Sequence, residues 1–247
     1  MVSSSETGHV KNVANLDALI SFATDLGEDY NPSRENLKLP ALQTISKNAK
    51  NSIDAVNSAL PAYSKAVAAR DVAFTPLSRL STRIFNSLKA TDTSDQIDKN
   101  ALIYIRKIQG RRAVARRTEA EKEADKAAGK ETVEISASQM SHNSRIDNLD
   151  KLIKLLSSIE LYTPNEADLK IVSLKALLED LKLKNNAVIL ASTPLSSSRI
   201  SRNTVLYKEN TGLVAVASDA KIYIKSVFGA RSPQYRQVSK LAFKTVK

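Results

Sequence analysis

The sequence contains no cysteine and no tryptophan, and it is poor in glycine, proline and the other aromatic residues. Without cysteine, disulfide bonds, thiolate metal sites and thiol nucleophiles are excluded. Six glycines and seven prolines in 247 residues are few for a sheet protein of this size, whose tight turns those residues usually supply. The composition therefore favours helices, and five Phe and seven Tyr predict a mainly aliphatic core.

Long apolar runs and the features of a secretory leader are also missing. The opening residues, MVSSSETGHVKN, lack a basic start followed by an apolar stretch, and no apolar run approaches the roughly 20 residues needed to cross a bilayer. We therefore predict a cytoplasmic protein with no membrane span. A membrane-active helical protein with a concealed apolar hairpin is the second of two alternative functions, although the best runs, at 187–191 and 213–217, are short.

Recognisable catalytic and ligand motifs are scarce. The six glycines are isolated from one another, which excludes a glycine-rich phosphate loop, and no serine lies in a Gly-x-Ser-x-Gly elbow. Glu6 and His9 have the Glu-x-x-His spacing of di-iron bundles, but such a site needs two of these motifs and further glutamates. His142 has no second ligand at metal-binding spacing. We predict no enzyme activity, no cofactor, no metal and no small-molecule ligand.

Apolar residues recur at helical spacing along most of the chain. A first stripe runs from Leu16 to Leu26, where Gly27 is placed to end a helix. A second stripe, from Leu42 to Leu60, is close to the seven-residue repeat of packed long helices. Pro61 removes a backbone donor, so it predicts a bend or a restart of the helix. A third helical stretch is predicted from Val67 to Leu88.

An internal duplication is the firmest feature of the sequence. The apolar positions of the first stripe recur, at one constant offset, around residue 150. The matched pairs are Leu16 with Leu149, Leu19 with Leu152, Ile20 with Ile153, Phe22 with Leu155, Ala23 with Leu156, and Leu26 with Ile159. Pro61 corresponds to Pro194, and IYIRKIQG at 103–110 corresponds to IYIKSVFG at 222–229. The first copy is longer before its IYI triplet by about the TDTSDQID segment.

The duplication predicts an all-α fold, an elongated helical bundle built from two tandem three-helix repeats with pseudo-twofold character. The predicted division is a disordered N-terminus at 1–10, repeat 1 at 11–129, a linker at 130–144 and repeat 2 at 145–247. One copy could hardly cover its own apolar stripes, so we expect the repeats to pack as one domain. Two separate three-helix domains are the alternative.

Part of the sequence resembles a known group of proteins. The segment KIYIKSVFGARSPQYRQVSKLAFK, from Lys221 to Lys244, is similar to the tail of uncharacterised bacterial helical-repeat proteins, as are NVANLDALI and the YNPS turn near the start. The resemblance implies a helical tandem-repeat fold and a bacterial origin. That group has no assigned activity, so the resemblance implies no functional residue.

Positive charge is in excess and is concentrated in two places. Thirty-seven Lys and Arg against 26 Asp and Glu give a formal net charge of +11, which favours an anionic partner. Clusters without an acidic residue lie at equivalent ends of the repeats, at 99–117 and 221–247. The candidate polyanion-binding residues are Arg106, Lys107, Arg111, Arg112, Arg116, Arg117, Lys225, Arg231, Arg236, Lys240 and Lys244. The alternative is a solvated face partly neutralised by the acids at 119–125.

The predicted function is that of a non-enzymatic helical scaffold or interaction protein, which packs its helices against itself or a protein partner. The alternative is a sequence-nonspecific polyanion binder, for DNA, RNA or the ribosome, through the basic ends of both repeats. Tyr104 and Tyr223 could stack on exposed bases in that case, or they are core residues.

Overall fold

A computed structural model describes residues 6–111, 127 and 141–245. Within these ranges the chain forms α-helices and short 3-10 turns and contains no strand. The helices are α1 (Glu6–Asp25), α2 (Leu39–Phe74), α3 (Leu77–Lys89), α4 (Asp95–Ile108), α5 (His142–Ser157), α6 (Ile171–Tyr207), α7 (Leu213–Phe228) and α8 (Pro233–Ser239). The prediction of an all-α fold is confirmed.

The start of the chain differs from the sequence-based expectation. The helix α1 begins at Glu6, inside the segment 1–10 that we predicted to be disordered. His9 explains the difference, because its side chain is 2% exposed and anchors the first turns of α1. At the other end, α1 stops just before Gly27, which adopts a left-handed φ of 58° that favours glycine.

Two helices, α2 and α6, are much longer than the others, and each contains a proline. The helix α2 runs through Pro61 without a break, and α6 runs through Pro194. Both prolines are exposed, so their rings point away from the apolar stripe that faces the core. The predicted third stretch, Val67 to Leu88, is in fact divided, because α2 ends at Phe74 and α3 begins after Pro76.

The chain is divided into two compact units, and each takes one part from each predicted repeat. The first unit comprises residues 1–63 and 191–247, and the second comprises residues 64–190. The boundaries therefore fall inside α2 and α6, near their prolines. Of the predicted linker at 130–144, residues 130–140 lie outside the described residues.

Each unit has its own aliphatic core. In the first unit the buried residues come from α1 and the first half of α2, and from the end of α6 with α7 and α8. In the second unit they come from the end of α2 with α3 and α4, and from α5 and the first half of α6. All six pairs of apolar residues matched by the duplication are buried or half-buried in these cores.

The turn that leads into each long helix is fixed by the same hydrogen bond in both units. The Tyr30 hydroxyl donates to the Leu37 carbonyl at 2.7 Å, and the Tyr162 hydroxyl donates to the Leu169 carbonyl at 3.1 Å. Burial raises the pKa of Tyr30 to about 12, with a smaller contribution from Tyr223, and burial also raises the pKa of Tyr162. Both hydroxyls therefore keep the proton that they donate.

A second contact also occurs in both units. The His9 ring lies 5.6 Å from the Tyr207 ring, and the His142 ring lies 4.7 Å from the Phe74 ring, edge to face. His9 and His142 are separated by 133 positions, and so are Phe74 and Tyr207. The two contacts therefore join the same pair of positions of the duplicated sequence.

No helix formed by residues 6–111, 127 or 141–245 has both the length and the apolar character that a bilayer crossing requires.

Candidate polyanion-binding surface

The first predicted cluster lies at the end of α4, in the second unit. Arg106 and Lys107 are half-buried in the last turn of the helix, where cations interact favourably with the helix dipole. Arg111 follows the helix and is exposed. The remaining predicted residues of this cluster, Arg112, Arg116 and Arg117, lie outside the described residues.

The second predicted cluster lies in the first unit, on α7, on α8 and in the segment that follows. We call it the C-terminal cluster, and its five residues are all exposed. They are Lys225, Arg231, Arg236, Lys240 and Lys244. Lys225 lies in the last turn of α7, Arg231 in the turn between α7 and α8, and Arg236 in α8.

The turn between α7 and α8 is built by Gly229 and Ser232. Gly229 has a φ of 87°, which side chains rarely tolerate, and its N–H donates to the Lys225 carbonyl at 2.9 Å. The Ser232 hydroxyl then accepts a hydrogen bond from the Tyr235 N–H at 3.1 Å and so caps α8. The turn holds Arg231 on the surface between the two helices.

Lys221 holds the end of α8 in place. Its ammonium donates to the Ser239 carbonyl at 3.2 Å and to the Leu241 carbonyl at 2.7 Å, and it lies 5.8 Å from the centre of the Phe243 ring. Burial lowers the pKa of Lys221. This lysine is therefore structural, whereas Lys225, whose ammonium lies 5.8 Å from the Tyr235 ring, is exposed to solvent.

Two asparagines of α1 bind the segment that follows α8. The Asn12 side chain donates to the Lys244 carbonyl at 2.7 Å and accepts from the Lys244 N–H at 3.1 Å. Asn15 donates to the Ala242 carbonyl at 2.7 Å. These bonds fix the backbone of the C-terminal cluster up to Lys244, so its side chains project from an ordered support. Asn12 was not predicted, although its position four residues before Leu16 places it on the apolar stripe of α1.

The C-terminal cluster carries unneutralised positive charge. None of its five side chains forms an ion pair within the described ranges, where the segment 221–245 contains no acidic residue. Other cations of the same unit are paired: Arg34 with Asp219 at 2.5 Å, and Lys50 with Asp17 at 2.8 Å. The exposed cations therefore present an electropositive face to solvent.

The two tyrosines of the IYI triplets pack inside the protein. Tyr223 is half-buried, its ring meets the Tyr30 ring edge to face at 5.4 Å, and its hydroxyl accepts from the Asn31 N–H at 3.2 Å. Tyr104 is half-buried against the core of the second unit. Both tyrosines therefore pack against the cores of their units.

The two histidines pack against aromatic rings, His9 against Tyr207 and His142 against Phe74. His9 Nδ1 lies 2.5 Å from the Tyr207 hydroxyl, which also lies 3.4 Å from the Asn12 side-chain nitrogen. His142 Nε2 lies 4.0 Å from a carboxylate oxygen of Asp71. In the described part of the chain, no three His, Asp or Glu side chains are grouped so that they could hold a metal ion.

Comparison of the chain with protein-family models, with curated proteins and with solved structures finds no match. The resemblance of the C-terminal segment to bacterial helical-repeat proteins therefore stays a prediction.

Proposed function

We propose that the protein is a non-enzymatic helical scaffold built from two tandem copies of one three-helix repeat, related by a pseudo-twofold axis. The repeated contacts support this proposal, because Tyr30–Leu37 and Tyr162–Leu169 are equivalent pairs, and so are the contacts of the two histidines. In this arrangement the first part of each copy belongs to one unit and the last part of the same copy belongs to the other.

The scaffold acts through α6, whose solvent-exposed face carries an apolar stripe. Val172, Leu183 and Leu190 are 80%, 67% and 65% exposed. At 3.6 residues per turn, Val172 and Leu190 lie on the same face and Leu183 lies about 20° from them. Isolated exposed apolar side chains are normal on a protein surface, but three in one line are a feature of a helix that packs against another helix.

The spacing of the stripe is that of a coiled coil. Its positions follow one another at alternating intervals of four and three residues, and all six are exposed. They are Val172, Ala176, Glu179, Leu183, Asn186 and Leu190. We call this set the α6 stripe. Glu179 of the stripe pairs with Lys182 beside it, at 2.8 Å, and on the flank Asp180 pairs with Lys184, at 3.7 Å. Balanced charge on the flanks suits a second copy of the same helix, so we propose self-association as the mode of action.

Sedimentation of the full chain tests this proposal. The wild-type protein is expected to dimerise, and the variant Leu183→Glu with Leu190→Glu is expected to be monomeric, because two carboxylates replace both leucines of the stripe. Val72→Glu with Ile222→Glu is the matched control, since these two apolar residues are 73% and 64% exposed and lie on α2 and α7, away from α6. A wild-type monomer at high concentration, or equal dimerisation of all three proteins, would contradict self-association through this stripe. If the wild type pulls down another protein and the double-glutamate variant does not, the stripe binds that protein partner and not a second copy of the chain.

The second candidate function is polyanion binding through the C-terminal cluster. The observation that favours it is the exposed, unpaired state of five cations on an ordered support. Contacts of such cations with phosphates do not depend on base sequence and weaken steeply with salt.

A salt series with a labelled DNA duplex tests the second candidate. If five phosphates are contacted, a rise from about 50 to about 200 mM salt should weaken binding by about 500-fold, since each contact contributes about 0.9 to the logarithmic slope. Changing all five cluster residues to alanine should abolish binding. The matched control removes five exposed lysines elsewhere, and these are Lys47, Lys65, Lys170, Lys175 and Lys208. If both quintuple variants lose the same affinity, net charge alone is responsible and the cluster is not a site.

A further inference from the structure

An open cleft of about 550 Å³ lies in the second unit, between the start of α3 and the start of α6. Its walls include Arg79, Leu80 and Arg83 of α3, and Asp168 and Leu177 on the opposite side. This volume is within the range of about 300–1,000 Å³ that is typical of small-molecule sites.

The apolar part of the cleft is formed by Leu80 and Leu177. Both side chains are half-buried and pack against the core of the second unit. Their buried sides hold them in position, and their open sides offer an apolar floor to a ligand. Burial of a ligand's hydrocarbon part on this floor would be favourable in proportion to the area removed from water.

The polar rim of the cleft has an excess of positive charge. Arg83 donates to both carboxylate oxygens of Asp168, and the Nη2–Oδ1 distance is 3.1 Å. This hydrogen bonding lowers the pKa of Asp168 and raises that of Arg83, so the pair is charged on both sides. Arg79 lies one turn before Arg83, is exposed, and forms no ion pair within the described ranges. The cleft is thus lined by two guanidinium groups and one carboxylate, and the Arg79 guanidinium is available to bind an anion.

The cleft depends on α3, which distinguishes the two copies. Phe74 and Tyr207 are 133 positions apart, but Ile103 and Ile222 are only 119 apart, so the first copy holds 14 more residues between these points. The additional length lies in α3 and not in the TDTSDQID segment, to which the sequence comparison assigned it, because residues 95–98 of that segment begin α4. In the second copy only residues 208–212 join α6 to α7. Insertions on the surface of a scaffold are a common place for binding residues.

We propose that this cleft binds a small molecule with an apolar body and one anionic group. Leu80 and Leu177 contact the apolar body, and the Arg79 guanidinium pairs with the anion. The Arg83–Asp168 pair forms the end of the cleft and limits the negative charge that the site accepts to one group. This proposal does not depend on self-association or on the C-terminal cluster.

Titration of the full-length, isotope-labelled protein with octanoate, followed by amide chemical shifts, tests the site. Octanoate has both required parts, whereas acetate has only the anion and 1-octanol only the apolar chain. We expect octanoate to shift the amide signals of the cleft, at Arg79, Leu80 and Leu177, and the two half-ligands to bind much more weakly. Equal binding of octanoate and 1-octanol, or shifts located elsewhere, would overturn the proposal.

Two variants give opposite expected changes. Arg79→Ala should weaken octanoate binding about tenfold, as for the loss of one hydrogen bond to a charged group. Asp168→Asn releases Arg83 and should strengthen binding about threefold, the magnitude of one surface ion pair. Lys89→Ala is the control, because Lys89 is an exposed cation of α3 that does not line the cleft. An unchanged affinity for Arg79→Ala, or a loss as large for Lys89→Ala, would contradict the assignment.

Discussion

His142 lies at a position where burial and charge both oppose its protonation. The ring packs edge to face on Phe74, and its side chain is 31% exposed. Burial is the largest cause that lowers its pKa, and the cations Arg70 and Arg145 lower the pKa further. The carboxylate of Asp71 acts in the opposite direction. The folded protein therefore prefers the neutral imidazole, and the unfolded chain binds the proton more readily.

The free energy of unfolding should therefore fall as the pH drops below about 6.5, the ordinary pKa of histidine. Above that pH the full contribution of His142 to the free energy of unfolding is present. As the pH falls, His142 is protonated in the unfolded chain before it is protonated in the folded protein, and this contribution is lost. Urea unfolding at a series of pH values from 8 to 5 measures the slope. The variant His142→Gln should be less stable at pH 8, and its stability should depend less on pH over this interval.

Asp71 supplies the control for this prediction. Asp71→Asn removes the only one of the named charges that favours the imidazolium ion, so its stability should depend more strongly on pH than that of the wild type. If Asp71→Asn and the wild type have the same slope, the charge environment of His142 is not as described above.

At the scale of the elements, the sequence allows the helices to be predicted where one side of a helix is buried. The stripe of α1 and the stripe of α2 from Leu42 to Val56 are buried or half-buried as their spacing predicts, and Gly27 follows α1. The start of α1 is not predictable from periodicity, because it depends on the contact of His9 with Tyr207, which is 198 positions away. Local patterns carry no information about such a partner.

The helix α3 shows a second limit of the pattern. Val67 to Leu88 has continuous helical spacing, and only Thr75 and Pro76 divide it into two helices. Because Pro61 lies inside a continuous helix, a proline in the sequence does not by itself locate a helix end. The outcome depends on tertiary packing: Phe74 and Leu77, on either side of the break, are both buried in the core.

For the candidate surface, the sequence was sufficient to find the exposed cations but not the residues that support them. Charge excess alone located Lys225, Arg231 and the rest of the C-terminal cluster. The roles of Lys221 and Asn12 are visible only in the structure, because both act by binding backbone carbonyls that are distant in the sequence. The α6 stripe was missed for a related reason: the helix has a buried and an exposed apolar side, and periodicity cannot show which one is free.

Neither half of the chain contains a complete core. The core of the first unit is formed by residues 13–53 together with 206–238, and the core of the second by residues 74–108 together with 149–181. A cut between Arg111 and Ser141 leaves both cores intact but divides each of them between two polypeptides. The two halves of the chain should therefore hold together without a covalent link.

This expectation is tested by placing a protease site at 130–140 and cleaving the native protein. The fragments should co-migrate in gel filtration with unchanged helical circular dichroism, and they should separate only in denaturant. Each purified fragment alone should lose most of its helix signal, or form a dimer in which a second copy of the fragment replaces the missing half. A fragment that folds as a stable monomer would show that one copy covers its own apolar faces. The proposal that the two copies complete each other's cores would then be wrong. Because each core is divided between the two halves of the chain, separation should cost both halves their helical structure equally, whereas two independent domains would survive the cut as separate folded proteins.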